Sequence, residues 1–226
     1  MFNTRLGTLT IGQAPRPDIT PILESHLPAT VECTHVGVLD ELSREKIAQR
    51  FAPQADEAIL TTRLLDGNAV ILGKNAVRDA VQLKLNQLEQ QGCGIILLLC
   101  TGEFHGLHCR QAWLIEPDTI VPPVAAALLG DRQPGILVPL AEQMHSEGHK
   151  WQAMRKLPVY AAVSPYDGSD TELVAAAHAL KSQQADAIIM DCMGYSESHR
   201  DVVRQATGLP VLLSNALIAR LIASLL

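Results

Sequence analysis

Along most of the chain, short apolar runs alternate with longer stretches in which apolar residues recur every three or four positions. The first pattern is that of strands covered on both faces, the second that of amphipathic helices. Strands are expected at 5–12 (RLGTLTIG), 31–39, 68–73, 94–100 (GIILLLC), 134–140, 158–164, 186–192 (DAIIMDC) and 209–214. Helices are expected at 17–26, 43–51, 74–91, 120–129, 141–156, 169–182, 197–205 and 215–226, some with start signals such as Ser43 and Asp170. This alternation predicts an α/β fold on parallel sheets.

The pattern also repeats. At an offset of 92 residues IILLLCTG overlays AIIMDCMG, so that Cys100 coincides with Cys192 and Gly102 with Gly194. Two pseudo-symmetric Rossmann-like lobes are the architecture this suggests. Chain breakers concentrate in EPDTIVPP and GDRQPG, between residues 105 and 133. The expected division is a first lobe of residues 1–108 plus 208–226 and a second of 109–207, the last strand and helix returning to complete the first.

Composition narrows the partners. The 226 residues, 47% apolar and 19% charged, suit a globular protein with a substantial core. With a net charge of −6 and scattered Lys and Arg, nucleic acid is not an expected partner, whereas a small anionic metabolite is. No apolar run approaches the roughly 20 residues of a membrane span, and the start lacks a secretory pattern; a cytoplasmic location without membrane contact is expected, with a homodimer open. Five cysteines without scaffold spacing read as reduced thiols. Cys93, Cys100, His105, His108 and Cys109 are close in sequence, but Cys93 and Cys100 end the same expected strand, roughly 20 Å apart at about 3.3 Å per residue. No metal is expected there, and without a G-x-G-x-x-G or Walker A loop no nucleotide cofactor either.

The candidate chemistry lies at strand ends. In open α/β sheets ligands bind beyond the carboxyl ends of the strands. Cys100 and Cys192 sit there, and Gly102 and Gly194 let the backbone turn and present amides to an anion. Two thiols facing one carbon suit proton transfer, one removing and one delivering a proton, with helix N-termini lowering their pKa. Either cysteine alone reads more readily as a small core residue, and it is their matched strand-end position, each with a following glycine, that brings the two readings level; Cys33, Cys93 and Cys109 lack that context and are assigned to packing. Thr10, Gly12, Gln13 and Arg16 follow the first strand: Thr10 or Gln13 as donors, Arg16 as a carboxylate partner or a solvated turn residue. Ser214 and Asn215 end the last strand, as helix caps or cleft residues. Among Glu103, His105, Tyr195, Ser196 and His199, His199 is the preferred acid–base helper. Asp191 alternates to the side opposite Cys192 and is expected to hold a loop.

Over nearly its full length the chain resembles the AroM family, of unsettled activity and named for aromatic biosynthesis. The stretches that carry the resemblance are LTIGQAPRPD, LSREKIAQRFAP, GIILLLCTGEF, EPDTIVPP, DCMGYSESHRD and PVLLSNALIARLIASLL. More distantly it resembles the aspartate/glutamate racemase superfamily, with hydantoin racemases, maleate isomerases and arylmalonate decarboxylases. That resemblance implies two lobes with a small carboxylate or carbonyl compound between them, no cofactor, and Cys100 and Cys192 as the paired cysteines. Racemases commonly follow the first cysteine with Asn-Thr and often place Thr after the second; here Thr101 and Gly102, then Met193, occupy those substrate-gripping positions. The implied activity is a cofactor-independent racemase or isomerase-like reaction. The alternatives are a non-catalytic small-molecule-binding or regulatory protein linked to aromatic metabolism, or a nucleophile at Cys192 alone.

Overall fold

The structure is a computed structural model that describes residues 5–146 and 148–226. Residues 1–4 of the expected first lobe and Glu147 of the expected 141–156 helix lie outside the described residues. The first half runs β1 (Leu6–Thr10), α1 (Thr20–Glu24), β2 (Cys33–Gly37), α2 (Arg44–Phe51), β3 (Ile59–Arg63), β4 (Ala69–Gly73), α3 (Lys74–Gln90), β5 (Ile95–Leu99), β6 (Trp113–Ile115) and α4 (Pro117–Leu129). The second runs β7 (Pro134–Val138), α5 (Gln143–Ser146), a 3-10 turn (Gly148–Trp151), β8 (Val159–Ala162), α6 (Asp170–Ser182), β9 (Ala187–Met190), α7 (Glu197–Thr207), β10 (Val211–Leu213) and α8 (Ser214–Ala223).

Among the described residues these elements form two parallel four-stranded sheets, β2-β1-β5-β6 and β8-β7-β9-β10, and a β3–β4 hairpin. The two sheets have the same strand order, so β5 and β9, which lead to the two cysteines, are equivalent, as are β6 and β10. This corrects the expected division at two points. Trp113–Ile115 belongs to the first sheet, beside β5, and the strand at 211–213 completes the second sheet beside β9 instead of returning to the first. Each lobe uses its own fourth strand to cover an edge that would otherwise be open. What does cross back is α8, which packs against α1 and α4.

Strand alternation sorts the core into three layers. Ile95, Leu97 and Leu99 of β5 face a shared core with Ile136, Val138, Ile189, Val121, Ile218 and Ile222 from the other sheet, α4 and α8. Ile96, Leu98 and Cys100 face the first-lobe core under α2 and α3, and Ile188, Met190 and Cys192 face the second-lobe core under α6.

Two further expectations are corrected. The 68–73 segment is not a parallel strand: as β4 it pairs antiparallel with β3, from Ile59↔Gly73 to Arg63↔Ala69. The 141–156 segment is not one helix, because Gly148 is a poor helix former and Trp151 is fully buried in the shared core, which requires the chain to turn inward.

The hairpin is docked through Gly12. A Cβ there would lie 2.4 Å from Thr62 Oγ1 and 2.5 Å from the Arg63 carbonyl. Gln13 completes the attachment: its Nε2 donates to the Leu39 carbonyl (3.2 Å) and its Oε1 accepts from Leu65 N (2.9 Å). Because one of the blocking atoms is backbone, Gly12→Ala is expected to cost about 1–3 kcal/mol and to lift the hairpin, read as a lower urea midpoint and faster tryptic cleavage after Arg63. Wild-type values for both would show that the hairpin is not held at Gly12.

Candidate active site

Cys100 follows β5 directly and Cys192 lies two residues beyond β9, at the carboxyl ends of equivalent strands. Both line one cleft between the lobes, with Thr101, Gly102, Met193 and Arg16. Gly102 N donates to Cys100 Sγ (3.3 Å) and Gly194 N donates to Cys192 Sγ (3.4 Å), so the repeated glycines present their amides to the sulfurs. Neither sulfur sits at a helix N-terminus: a loop follows Cys100, and α7 starts only at Glu197. Burial accordingly pushes both thiols up, Cys100 to about 12 and Cys192 in the same direction, against the lowering by the glycine amides. In this form the cleft holds neutral thiols, the reverse of the expected helix effect.

The other expected residues are placed as follows. Arg16 is buried, not solvated, and four of its five N–H groups are engaged: with Asp18 Oδ1 (2.9 Å) and Oδ2 (2.6 Å), Thr10 Oγ1 (3.1 Å) and Tyr166 OH (3.2 Å). A bidentate grip on a substrate carboxylate is thus not open to it. Thr10 holds Arg16, and Gly12 and Gln13 hold the hairpin. Ser214 Oγ donates to the Met190 carbonyl (2.9 Å); Asn215 Nδ2 donates to those of Met193 (2.9 Å) and Tyr195 (2.6 Å), fixing the loop after Cys192 without lining the cleft. His199 is not brought to the thiols. It completes a capping box, its Nδ1 accepting from Ser196 N (3.0 Å) while Ser196 Oγ accepts from His199 N (3.3 Å), and burial lowers its pKa, which keeps that acceptor neutral. Glu103 pairs with His149 outside the cleft lining. Among the described residues no group of His, Cys, Asp and Glu is arranged to hold a metal ion, and no helix is long and apolar enough to cross a membrane.

Several residues were not found from the sequence. Leu60, Thr61 and Thr62 line the cleft from the hairpin, Gln143 from α5, and Tyr166 from the loop after β8. Tyr166 could have been found by the rule that found Cys192, since it follows a strand's carboxyl end. Lys150 carried no such signal. Its ammonium is buried between the lobes, donating to the Thr101 carbonyl (2.7 Å) and to Asp191 Oδ2 (2.5 Å), and it lies over the Trp151 ring at 5.3 Å. Thr101 Oγ1 also donates to the Asp191 carbonyl (3.2 Å), so the residues beside the two cysteines are tied directly to each other. Asp191 does point away from Cys192, to the side of the shared core.

Breaking a buried ion pair by removing one partner costs about 3–5 kcal/mol, because the other charge is left without compensation. Lys150→Met should therefore lose about 3–5 kcal/mol in urea denaturation, and Lys150→Met/Asp191→Asn should recover part of it. A single variant as stable as the wild type, or no recovery in the double, would show that the buried pair carries no such cost.

The family model described as AroM protein matches residues 6–226. No curated protein matches the chain. Among solved structures, the glutamate racemase of Francisella tularensis in complex with D-glutamate is similar at TM-score 0.65 and 10% identity, covering 100% of this chain and 81% of that one. The allantoin racemase of Klebsiella pneumoniae gives TM-score 0.59 and 13% identity, over 98% and 86% of the two chains. The maleate isomerase Iso of Pseudomonas putida S16 gives 0.57 and 15%, over 98% and 91%. At such identities the likeness is one of fold, the two-lobed racemase-like architecture. With the family model matched from β1 to the last residue, the chain belongs to the AroM family.

Proposed function

We propose that the protein is a cofactor-independent proton-transfer enzyme of racemase or isomerase type, acting on a small carboxylate or carbonyl compound with Cys100 and Cys192 as paired acid and base. One observation carries this reading: two thiols from equivalent strand ends line one cleft, each with its sulfur receiving the amide of the glycine two residues on. In turnover one sulfur acts as thiolate. The carbon–hydrogen bond next to the carbonyl breaks, a sulfur–hydrogen bond forms, and the electron pair moves onto the carbonyl oxygen as an enolate. The other thiol then gives its proton to the opposite face of the same carbon and becomes the thiolate. Exchange with water returns the pair to its starting state.

The cleft as it stands offers about 20 Å³, the room of roughly one water molecule. A substrate of a few carbons requires it to open beyond this form. A second reading, a protein that binds a small molecule without turning it over, is favoured by the raised pKa of both thiols.

Deuterium incorporation from solvent into a panel of small carboxylates and amino acids separates the two. Exchange is expected in the wild type and a fall of about 10²-fold or more in each of Cys100→Ser and Cys192→Ser. Exchange that survives both substitutions overturns the two-thiol reading, and binding without exchange supports the sensor.

The pH dependence follows from the same shifts. Both thiols ionise above the usual range, so the reactive thiolate fraction is small near neutrality and grows about tenfold per pH unit until the lower of the two pKa values is reached. The exchange rate should therefore climb from pH 6 to 9 without a plateau. A plateau reached by pH 7 would mean that the thiolate is already formed there.

A further inference from the structure

We propose that the two thiols are unequal and that Cys192 is the more readily ionised of the pair, with Tyr166 as its positioning residue. The argument is one of donor direction. Arg16 can only donate, so in the 3.2 Å contact between its Nη2 and Tyr166 OH the phenol oxygen accepts. The phenolic proton is left to point elsewhere, and Cys192 Sγ lies 3.8 Å from that oxygen, inside the reach of a hydrogen bond to sulfur. Once ionised, Cys192 Sγ can only accept, and it then takes two donors, Tyr166 O–H and Gly194 N–H. Among the described residues Cys100 Sγ takes one, Gly102 N–H. Hydrogen bonds onto an ionised sulfur favour the ionised form, and a donor polarised by a cation favours it more.

The glycines show that this inequality is built in. A Cβ at Gly194 would lie 2.4 Å from both the Tyr166 hydroxyl and its ring edge, so only glycine lets the phenol reach the sulfur. At the equivalent Gly102 the near neighbour is Leu60 Cδ2, at 2.8 Å. The same backbone step is covered by a hydroxyl in one lobe and a methyl group in the other. Ser164 Oγ accepts from the amides of Tyr166 and Asp167 (both 3.1 Å), which fixes the loop that carries the phenol. Arg16 comes from the first lobe and Tyr166 from the second, so their bond forms only when the lobes are closed. The groups that face Cys192 are Tyr166 and Arg16, which favour its thiolate, and Asp191, Cys100 and Tyr195, whose negative forms oppose it. Tyr195 is no competing donor, since its hydroxyl is given to the Val163 carbonyl at 2.6 Å.

For a role in turnover this inference rests on the proton-transfer reading, where it makes Cys192 the thiolate that takes the proton and Cys100 the thiol that gives one. Its test needs no substrate. Iodoacetamide alkylation of the full-length protein, followed cysteine by cysteine by peptide mass spectrometry from pH 6 to 12, yields from the shape of each curve a pH midpoint that does not depend on accessibility, or a lower bound for a thiol whose rate still rises at the upper end. The wild type is expected to show a lower midpoint at Cys192 than at Cys100. Tyr166→Phe should raise the Cys192 midpoint by about one pH unit, which is about tenfold slower alkylation at pH 8, and leave Cys100 unmoved. Gly194→Ala, which displaces the ring without removing the phenol, should shift Cys192 in the same direction. Equal midpoints in the wild type, or a Cys192 midpoint unmoved in both variants, overturns the proposal. Failure of the deuterium exchange would overturn the proton-transfer reading and leave this titration unaffected.

Discussion

A lysine ammonium withdrawn from water between two lobes must be met there by compensating groups, and where those groups sit fixes how the lobes meet. Lys150 reaches the Thr101 carbonyl on one side and the Asp191 carboxylate on the other, while Thr101 Oγ1 spans to the Asp191 carbonyl. These are the residues adjacent to Cys100 and Cys192. The spacing of the two sulfurs is therefore set locally, by a buried charge that tolerates little slack, and not only by the distant packing of α4 against α8. The apolar layer supplies the cohesion: Leu97, Ile136, Ile189 and Ile218 belong to one continuous core. The two hydrogen bonds through Thr101, from Lys150 and to the Asp191 carbonyl, supply the register.

Duplication explains the architecture, and departures from it explain the chemistry. Both sheets have the same order and both carry a cysteine and a glycine at the end of the equivalent strand. An ideal two-fold site would treat both faces of a substrate carbon alike. Here a hairpin of the first half lays Leu60 against Gly102, while a loop of the second half lays Tyr166 against Gly194. A methyl group over one glycine and a cation-polarised phenol over the other mean that the pseudo-symmetry of the backbone does not extend to the electrostatics.

Sequence reading recovered what burial on both faces dictates. β1, β5, β7 and β9 lie inside their sheets, and continuous runs such as IILLL and AIIM announce them. It failed where tertiary contacts decide. β3 reads ILTTR, too polar for a core strand, because its partner is a single strand of a ribbon. β6 is three residues long at a sheet edge. Helical spacing in 141–156 was overruled by the burial of Trp151 and Lys150. In the site, Cys100, Cys192, Thr101, Gly102, Met193 and Arg16 were legible as strand-end residues. Gln13, Ser214, Asn215 and His199 share that location but spend their polar atoms on neighbouring backbone groups. A strand-end rule finds residues near a cleft; it does not say which way their hydrogen bonds run.

Hydrogen-bond direction also bears on how a buried thiol pair can work at all. Burial alone keeps both sulfurs protonated, and two neutral thiols cannot take up a proton. No helix N-terminus is available to correct this, because α7 begins only after the Tyr195–Ser196 turn and no helix follows Cys100 before α4. What the cleft offers instead are short-range donors: backbone amides at the two glycines, each within its own lobe, and a phenol that Arg16 reaches across the lobes. Such donors offset part of the cost of burial at Cys192 and less of it at Cys100, and the share that Arg16 lends through the phenol exists only while the lobes are together. A thiol that burial keeps neutral is also a poor target for oxidants, because the thiolate is the reactive form; a high-pKa pair ionised by local donors one sulfur at a time thus has a functional sense that core packing alone would not require.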